Sequence, residues 1–270
     1  SVSWARRCVE ETVLIMGLIF MLTGCGNKSK EDTSLKDIKN KGEFVVGLDD
    51  SFPPMGFKND KGEIVGFDID LAKEVAKKMG VKVVFKPVQW DGVVLSLNNK
   101  DIDVIWNGLT ITEKRKEQIN FSKPYVENKQ IIVVNNDSNI KSKKDLNKKT
   151  VAIQLGSSSE VALDSDKDFV KSLKELKKYS NNTEALMDLQ AKRVDAVVVD
   201  EVVGRYYISK KPNVFKVLDE DFGGESYGVG FRKTDNSFRE AVDKALDEVI
   251  KDGTADKISK KWFGKGILKK

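Results

Sequence analysis

The sequence predicts an α/β fold built from two similar halves. Three observations carry this. Short apolar strands alternate with amphipathic helical stripes, polar residues stand just past the carboxyl ends of several strands, and two stretches of chain repeat one plan. The first strand is the apolar run 44–48, which ends in Asp49-Asp50-Ser51. Residues 67–79 carry apolar side chains at 67, 71, 72, 75, 76 and 79, the stripe of a helix that Gly80 closes. A strand follows at 81–85, a helix at 93–97 and a strand at 104–106. The second half repeats the alternation at 151–153, 183–190 and 196–199. Phe238, Ala241, Val242, Ala245, Leu246, Val249 and Ile250 then mark a strongly amphipathic helix with Gly253 after it. Such alternation argues for mainly parallel strands covered by helices.

The repeats sharpen this. Lys36-Asp37-Ile38, Lys41 and a strand match Lys144-Asp145-Leu146, Lys149 and a strand at an offset of 108, which sets Asp49 and Asp50 against Ser157 and Ser158. Leu97, Lys100 and Asp103 match Leu189, Lys192 and Asp195 at an offset of 92, which sets Asn107 and Gly108 against Val199 and Asp200. Ligands in open α/β sheets gather at the carboxyl ends of strands, so two such edges facing each other make a cleft.

Composition narrows the chemistry. The chain has 270 residues, two cysteines and no histidine. That excludes Ser-His-Asp and Cys-His catalysis, His-ligated zinc and cysteine-ligated clusters within one chain. The net charge of +5 is small and spread over both signs, so nucleic-acid binding is not suggested. Asp68-x-Asp70 and Asp49-Asp50 fall short of the oxygen ligands of a calcium loop. No metal and no cofactor are expected. The chain also lacks a Gly-x-x-x-x-Gly-Lys-Ser/Thr phosphate loop.

The first 24 residues read as an export signal: Arg6 and Arg7 precede the apolar run 13–22, too short to span a membrane comfortably. The run ends in Leu22-Thr23-Gly24-Cys25, which matches a lipobox, with Cys25 as the lipidated first residue of the mature chain. The competing reading is an anchor helix with an incidental cysteine. Residues 25–35 are polar and read as a flexible tether.

Gly66-Phe67-Asp68-Ile69-Asp70-Leu71, with Val75-Ala76 and Met79 after it, resembles the signature of extracellular solute-binding proteins of amino-acid ABC importers, polar amino-acid group. Asp49-x-x-Phe52-x-Pro54, the run 108–115 (GLTITEKR), Phe121-Ser122-x-Pro124-Tyr125, Val198-Val199-Asp200, the run 227–231 (YGVGF) and Lys261-Trp262-Phe263-Gly264 agree in order. The resemblance covers roughly residues 35–266. It implies a two-lobed, periplasmic-binding-protein-like (Venus flytrap) fold with the ligand cleft between lobes. Lobe 1 would be 36–127 with 223–270 and lobe 2 would be 128–222, hinged at about 125–130 and 220–226.

The resemblance also implies site residues. Arg115 would grip the ligand α-carboxylate, a task suited to a guanidinium fork; its plain alternative is a solvated helix charge. Asp200 would accept from the α-ammonium, or cap the next helix. Gly108 and Thr110 would offer a backbone group and a hydroxyl to the carboxylate. Ser157 and Ser158 would complete the anchoring, or form an ordinary Gly-Ser turn. Phe52 and Trp90 would cover the ligand, or simply pack. Asp49 would meet the ligand side chain, while Asn107 faces it or caps a strand. Asp50, Asp91 and Glu201 would make the cleft acidic and favour basic ligands, whereas Gln154 and Asn107 favour a neutral polar one.

The expected function is therefore capture of a free polar or basic L-amino acid outside the cell. Delivery would be to the membrane subunits of an ABC permease, by a monomer held to the membrane through lipid on Cys25. No catalysis is expected. The alternatives are a dehydratase-like enzyme using Asp49, Asp91 or Asp200 as acid or base, and a ligand-sensing subunit on the same fold.

Overall fold

The computed structural model describes residues 31–269, so the expected signal 1–24, Cys25 and most of the expected tether lie outside the described residues. Among the described residues no helix is long and apolar enough to cross a membrane.

The first half opens with α1 (Ser34–Lys41), β1 (Glu43–Leu48), the small antiparallel sheet of β2 (Ser51–Phe52), β3 (Gly56–Lys58) and β4 (Ile64–Val65), then α2 (Phe67–Met79) and β5 (Lys82–Pro87). It continues through α3 (Val93–Asn98), β6 (Val104–Ile105), α4 (Glu113–Gln118) and β7 (Ile119–Phe121). The second half holds β8 (Val126–Asn135), β9 (Thr150–Gln154), α5 (Ser158–Ser165), α6 (Lys167–Ser172), β10 (Glu175–Tyr179), α7 (Asn182–Gln190), β11 (Ala196–Asp200) and α8 (Glu201–Lys210). The long strand β12 (Phe215–Tyr227) leads back to β13 (Gly230–Arg232), α9 (Asn236–Lys251) and α10 (Thr254–Phe263).

Two five-stranded sheets result, in the orders β5-β1-β6-β13-β7 and β10-β9-β11-β8-β12. The expectation of mainly parallel strands holds with one correction: four of the five strands of each sheet run the same way, and the fifth, β13 in the first sheet and β8 in the second, is reversed. The reversal comes from the chain crossing between the halves twice: β8 and β12 pair antiparallel to each other, and β13 enters the first sheet against β6. A second correction concerns residues 32–35. Here α1 already starts at Ser34, and the Asp32 carboxylate accepts from the Ser34 and Ser237 backbone N–H groups at 2.9 and 2.6 Å. These residues are therefore fastened to the first half rather than serving as tether.

The repeats have a physical basis. Asp103 accepts from the Val45 N–H near the start of β1 and Asp195 from the Thr150 N–H at the start of β9, each at 2.8 Å. Lys41 pairs with Asp103 at 3.4 Å and Lys149 with Asp195 at 3.9 Å. Lys100 and Lys192 both turn through positive φ, at 66° and 58°. One strand-opening device is thus used twice.

The segment 66–71 acts as scaffold. Gly66 has a φ of 148°, and a Cβ there would lie 2.2 Å from the Met55 carbonyl oxygen, so only glycine lets the helix start this close to the 52–56 turn. The Phe67 and Asp68 N–H groups donate to the Pro54 and Met55 carbonyls at 2.8 and 2.9 Å, which satisfies two open donors of the first turn. Asp70 accepts from Trp262 Nε1 at 2.8 Å and Lys261 Nζ at 2.7 Å, fastening α10 to α2. Asp68 is fully buried and accepts from the Gly108 N–H at 2.7 Å and the Tyr125 hydroxyl at 2.9 Å. The buried Trp106 indole N–H meets no partner with hydrogen-bond geometry, which leaves Asp68 two donors.

Burial pushes the Asp68 carboxyl up to about 7, against the pull of those two donors. Between roughly pH 4 and 7 the native state then holds a proton that the unfolded chain has released, so its contribution to stability falls as pH rises through that window. Asp68→Asn cannot ionise; its amide oxygen can still accept from the Gly108 N–H, and its amide NH2 can donate to the Tyr125 hydroxyl oxygen. Its stability relative to wild type should rise by up to about 4 kcal/mol between pH 4 and pH 7.5. Urea melts of both proteins at the two pH values test this, and parallel pH curves would contradict it.

Candidate functional site

The chain brings the expected residues together where the carboxyl ends of β1, β6, β9 and β11 face each other. After β6 it turns through Asn107 and Gly108. Gly108 has a φ of 59°, and a Cβ there would fall 2.8 Å from Phe52 Cε1. Thr110 bridges to Tyr227 on the return strand. Thr112 then caps α4, its hydroxyl accepting from the Arg115 N–H at 3.2 Å.

This cap aims Arg115 inward, leaving it only 9% exposed. Its Nη1 donates to the Thr110 carbonyl at 2.9 Å and its Nη2 to the Gly156 carbonyl, from the other half, at 3.0 Å. The guanidinium faces the Trp90 ring at 5.9 Å, and Phe52 lies parallel to Trp90 with centroids 6.5 Å apart. Burial pushes the Arg115 pKa down, opposed by the negative charges of Glu225 and Asp200.

Asp200 stands at the N-terminus of α8 but makes no capping bond with its side chain. Its Oδ1 accepts instead from the Tyr227 hydroxyl at 2.6 Å and from Asn128 Nδ2 at 2.8 Å. Glu225 Oε1 accepts from Asn128 Nδ2 at 2.6 Å, Gln130 Nε2 at 2.9 Å and Thr110 Oγ1 at 2.9 Å, with Ser158 Oγ at 3.4 Å. Burial, and then the neighbouring Glu225, push the Asp200 carboxyl well above the usual carboxylate range. Burial likewise pushes the Tyr227 phenol well up.

At the other end lies Asp49, only 6% exposed. Its Oδ1 accepts from the Ser51 N–H and hydroxyl at 2.9 and 2.5 Å, and its Oδ2 from Gln154 Nε2 at 2.7 Å. Gln154 also donates to the Ser180 carbonyl and accepts from Asn182. Burial raises the Asp49 pKa against these bonds.

Several expectations change at this level of detail. The Gly108 N–H is committed to Asp68, so it is not the free backbone donor expected there. The Asn107 side chain accepts from the Asp49 N–H at 3.1 Å and serves the strand end, while its buried Nδ2 has no partner. Ser157 is the cap of α5: its hydroxyl accepts from the Glu160 N–H and donates to the Gln154 carbonyl. Ser158 is the serine that reaches the cluster, 3.0 Å from Thr110 Oγ1 and 3.1 Å from Gln130 Nε2. The expected acidity from Asp50, Asp91 and Glu201 is absent from the cluster. Asp50 pairs with Lys58, Glu201 pairs with Arg205, and Asp91 is exposed.

Sequence reasoning missed Glu225, Asn128, Gln130 and Tyr227. A period of two along a strand was the available signal: 225 and 227 share one face of β12, and 128 and 130 one face of β8. Away from the crossing strands β8 and β12, four bonds among the described residues join the halves: Arg115 to Gly156, Thr110 to Ser158, Gln154 to Asp49, and Thr183 Oγ1 to the Ser51 carbonyl at 3.2 Å. Chemically, the cleft offers a buried guanidinium, the buried Asp200 carboxyl beside the half-buried Glu225, and an aromatic pair against the guanidinium.

The comparisons agree with this architecture. The family model of bacterial extracellular solute-binding proteins, family 3, matches residues 44–265. The L-cystine-binding protein TcyJ of Escherichia coli (strain K12) is 33% identical over 260 residues, spanning 94% of this chain and 96% of that one. A substrate-binding protein of an ABC uptake transporter from Streptococcus pneumoniae, solved with bound histidine, superposes with a TM-score of 0.86 at 33% identity, covering 89% of this chain and 99% of that one. An ancestral arginine-binding protein, solved with arginine and with glutamine, gives a TM-score of 0.77 at 48% identity over 83% of this chain and 99% of its own. With nearly the whole of its length so matched, the chain belongs to the bacterial extracellular solute-binding proteins of family 3.

Proposed function

We propose that this chain captures one free L-amino acid with a basic or neutral polar side chain outside the cell and hands it to an ABC permease. The carrying observation is the pairing of a buried guanidinium, Arg115, with a buried carboxylate, Asp200, in one cleft. An amino-acid zwitterion presents the complementary charges at one carbon. Arg115 takes the α-carboxylate and Asp200 the α-ammonium. Thr110 and Ser158 contribute hydroxyls, and Phe52 and Trp90 stack over the ligand. Asp49 and Gln154 meet the side chain, an acid and an amide that suit arginine and glutamine. Arginine and glutamine are also what the 48%-identical ancestral protein was solved with.

The two halves act as lobes hinged on β8 and β12. Opening breaks the four cross-cleft bonds, and ligand replaces them on closure. Lipid on Cys25 holds the protein at the outer face of the membrane as a monomer. We read it as a binding protein rather than an enzyme because the relatives it matches are binding proteins.

Thermal unfolding with each of the twenty amino acids, ornithine and cystine tests the reading. A true ligand at a hundred times its Kd should raise Tm by about 5–10 °C. No shift with any of them would overturn it. Arg115→Ala should weaken binding of that ligand by about 3 kcal/mol, roughly a hundredfold, measured by titration calorimetry. Asp49→Asn should erode any preference for arginine over glutamine by about tenfold while leaving glutamine affinity nearly unchanged, because only the cationic side chain loses a countercharge.

A further inference from the structure

We propose that Glu225 is a second anionic arm of the ligand anchor, holding the α-ammonium together with Asp200. The inference rests on the amino-acid-binding reading above and adds a residue to it. Asn128 Nδ2 donates to Asp200 Oδ1 at 2.8 Å and to Glu225 Oε1 at 2.6 Å, so the two carboxylates sit one bridging atom apart. Their other oxygens, Asp200 Oδ2 and Glu225 Oε2, make no hydrogen bond among the described residues. An ammonium has three N–H groups in a tetrahedral fan, which suits two acceptors so spaced.

Charge points the same way. Two carboxyl groups face the cleft here beside one guanidinium, and both terminal nitrogens of Arg115 donate to backbone carbonyls, not to either acid. The groups around Glu225 Oε1 are otherwise neutral: Thr110, Asn128, Gln130 and Ser158. A zwitterion brings one cation to the acid wall and one anion to Arg115, so the acid wall gains the countercharge it lacks. The opposing idea is that Glu225 occupies the place of a ligand carboxylate and keeps the site shut. Glu225 does take the Thr110 and Ser158 hydroxyls, but Arg115, which would clamp a carboxylate in that place, bonds two backbone carbonyls instead.

The test is titration calorimetry of wild type, Glu225→Gln and Glu225→Asp with L-arginine and with L-glutamine. Each is paired with its counterpart lacking the α-amino group, 5-guanidinopentanoate and glutaramate. Glu225→Gln should weaken the amino acids about tenfold or more and leave the des-amino acids nearly unchanged, which a purely structural role would not do. Glu225→Asp, which keeps the charge, should retain part of the discrimination and guards against a misfolded Gln variant. Equal weakening of both members of a pair, or no change in either, would refute the second arm and leave the amino-acid reading standing. Tighter binding of the amino acids by Glu225→Gln would refute it in favour of self-occupation. Wild type that binds neither L-arginine nor L-glutamine would take down this inference together with the proposed choice of ligand.

Discussion

Asp68 is the point on which the cleft depends. Its carboxylate lies on the first turn of α2, wholly out of water, and accepts from the Gly108 N–H and the Tyr125 hydroxyl. The first bond fixes the turn after β6, from which Thr110 and α4 follow. The second fixes the residue just before β8, where the chain leaves for the other half. A buried carboxyl is costly to hold ionised, and burial moves it to about 7. The fold accepts that cost because one side chain then positions both the site turn and the crossing strand. Gly66 makes the arrangement possible by letting α2 begin against Met55 without a Cβ in the way.

The same economy recurs at the cleft. Arg115 is buried without a carboxylate bonded to it, and two carbonyls, one from each half, take its terminal nitrogens. Asp200 is buried and Glu225 half-buried without a cation bonded to them, and amides and hydroxyls serve instead. Dipoles stabilise such charges less well than opposite charges do. A closed cleft with charges held this way is suited to exchange its internal bonds for a ligand that supplies full countercharges.

Much of this was legible in the residues. The stripe at 67–79 became α2 over the same span, since apolar spacing and a closing Gly80 act locally. Thr112 before Arg115 and Asp200 at a strand end also stood where the motifs put them. What stayed illegible depended on partners far along the chain. Nothing local says that Ser157 caps while Ser158 reaches inward, because the difference is set by contact with Thr110 and Gln130. Asp50 and Glu201 looked like cleft acids until Lys58 and Arg205 claimed them. Glu225 sits on a strand that crosses between the sheets, far in sequence from the other site residues, so only its two-residue spacing from Tyr227 hinted at it.

The repeat explains why the two walls differ. One scaffold device, an Asp on a strand-opening N–H with a Lys beside it, serves both halves. The residues at equivalent strand ends are nonetheless unlike. Asp49 and Asp50 stand opposite Ser157 and Ser158 in the repeat, and Asn107 and Gly108 opposite Val199 and Asp200. A symmetric pair of edges would present like charge to like charge. The asymmetry sets a guanidinium, Arg115, on one half and a carboxyl, Asp200, on the other, and a zwitterion is a small solute whose own charges match the two. Placing Asp200 at the end of β11 and Arg115 on α4 sets these two charges on different halves, so a ligand that countercharges both also holds the halves together.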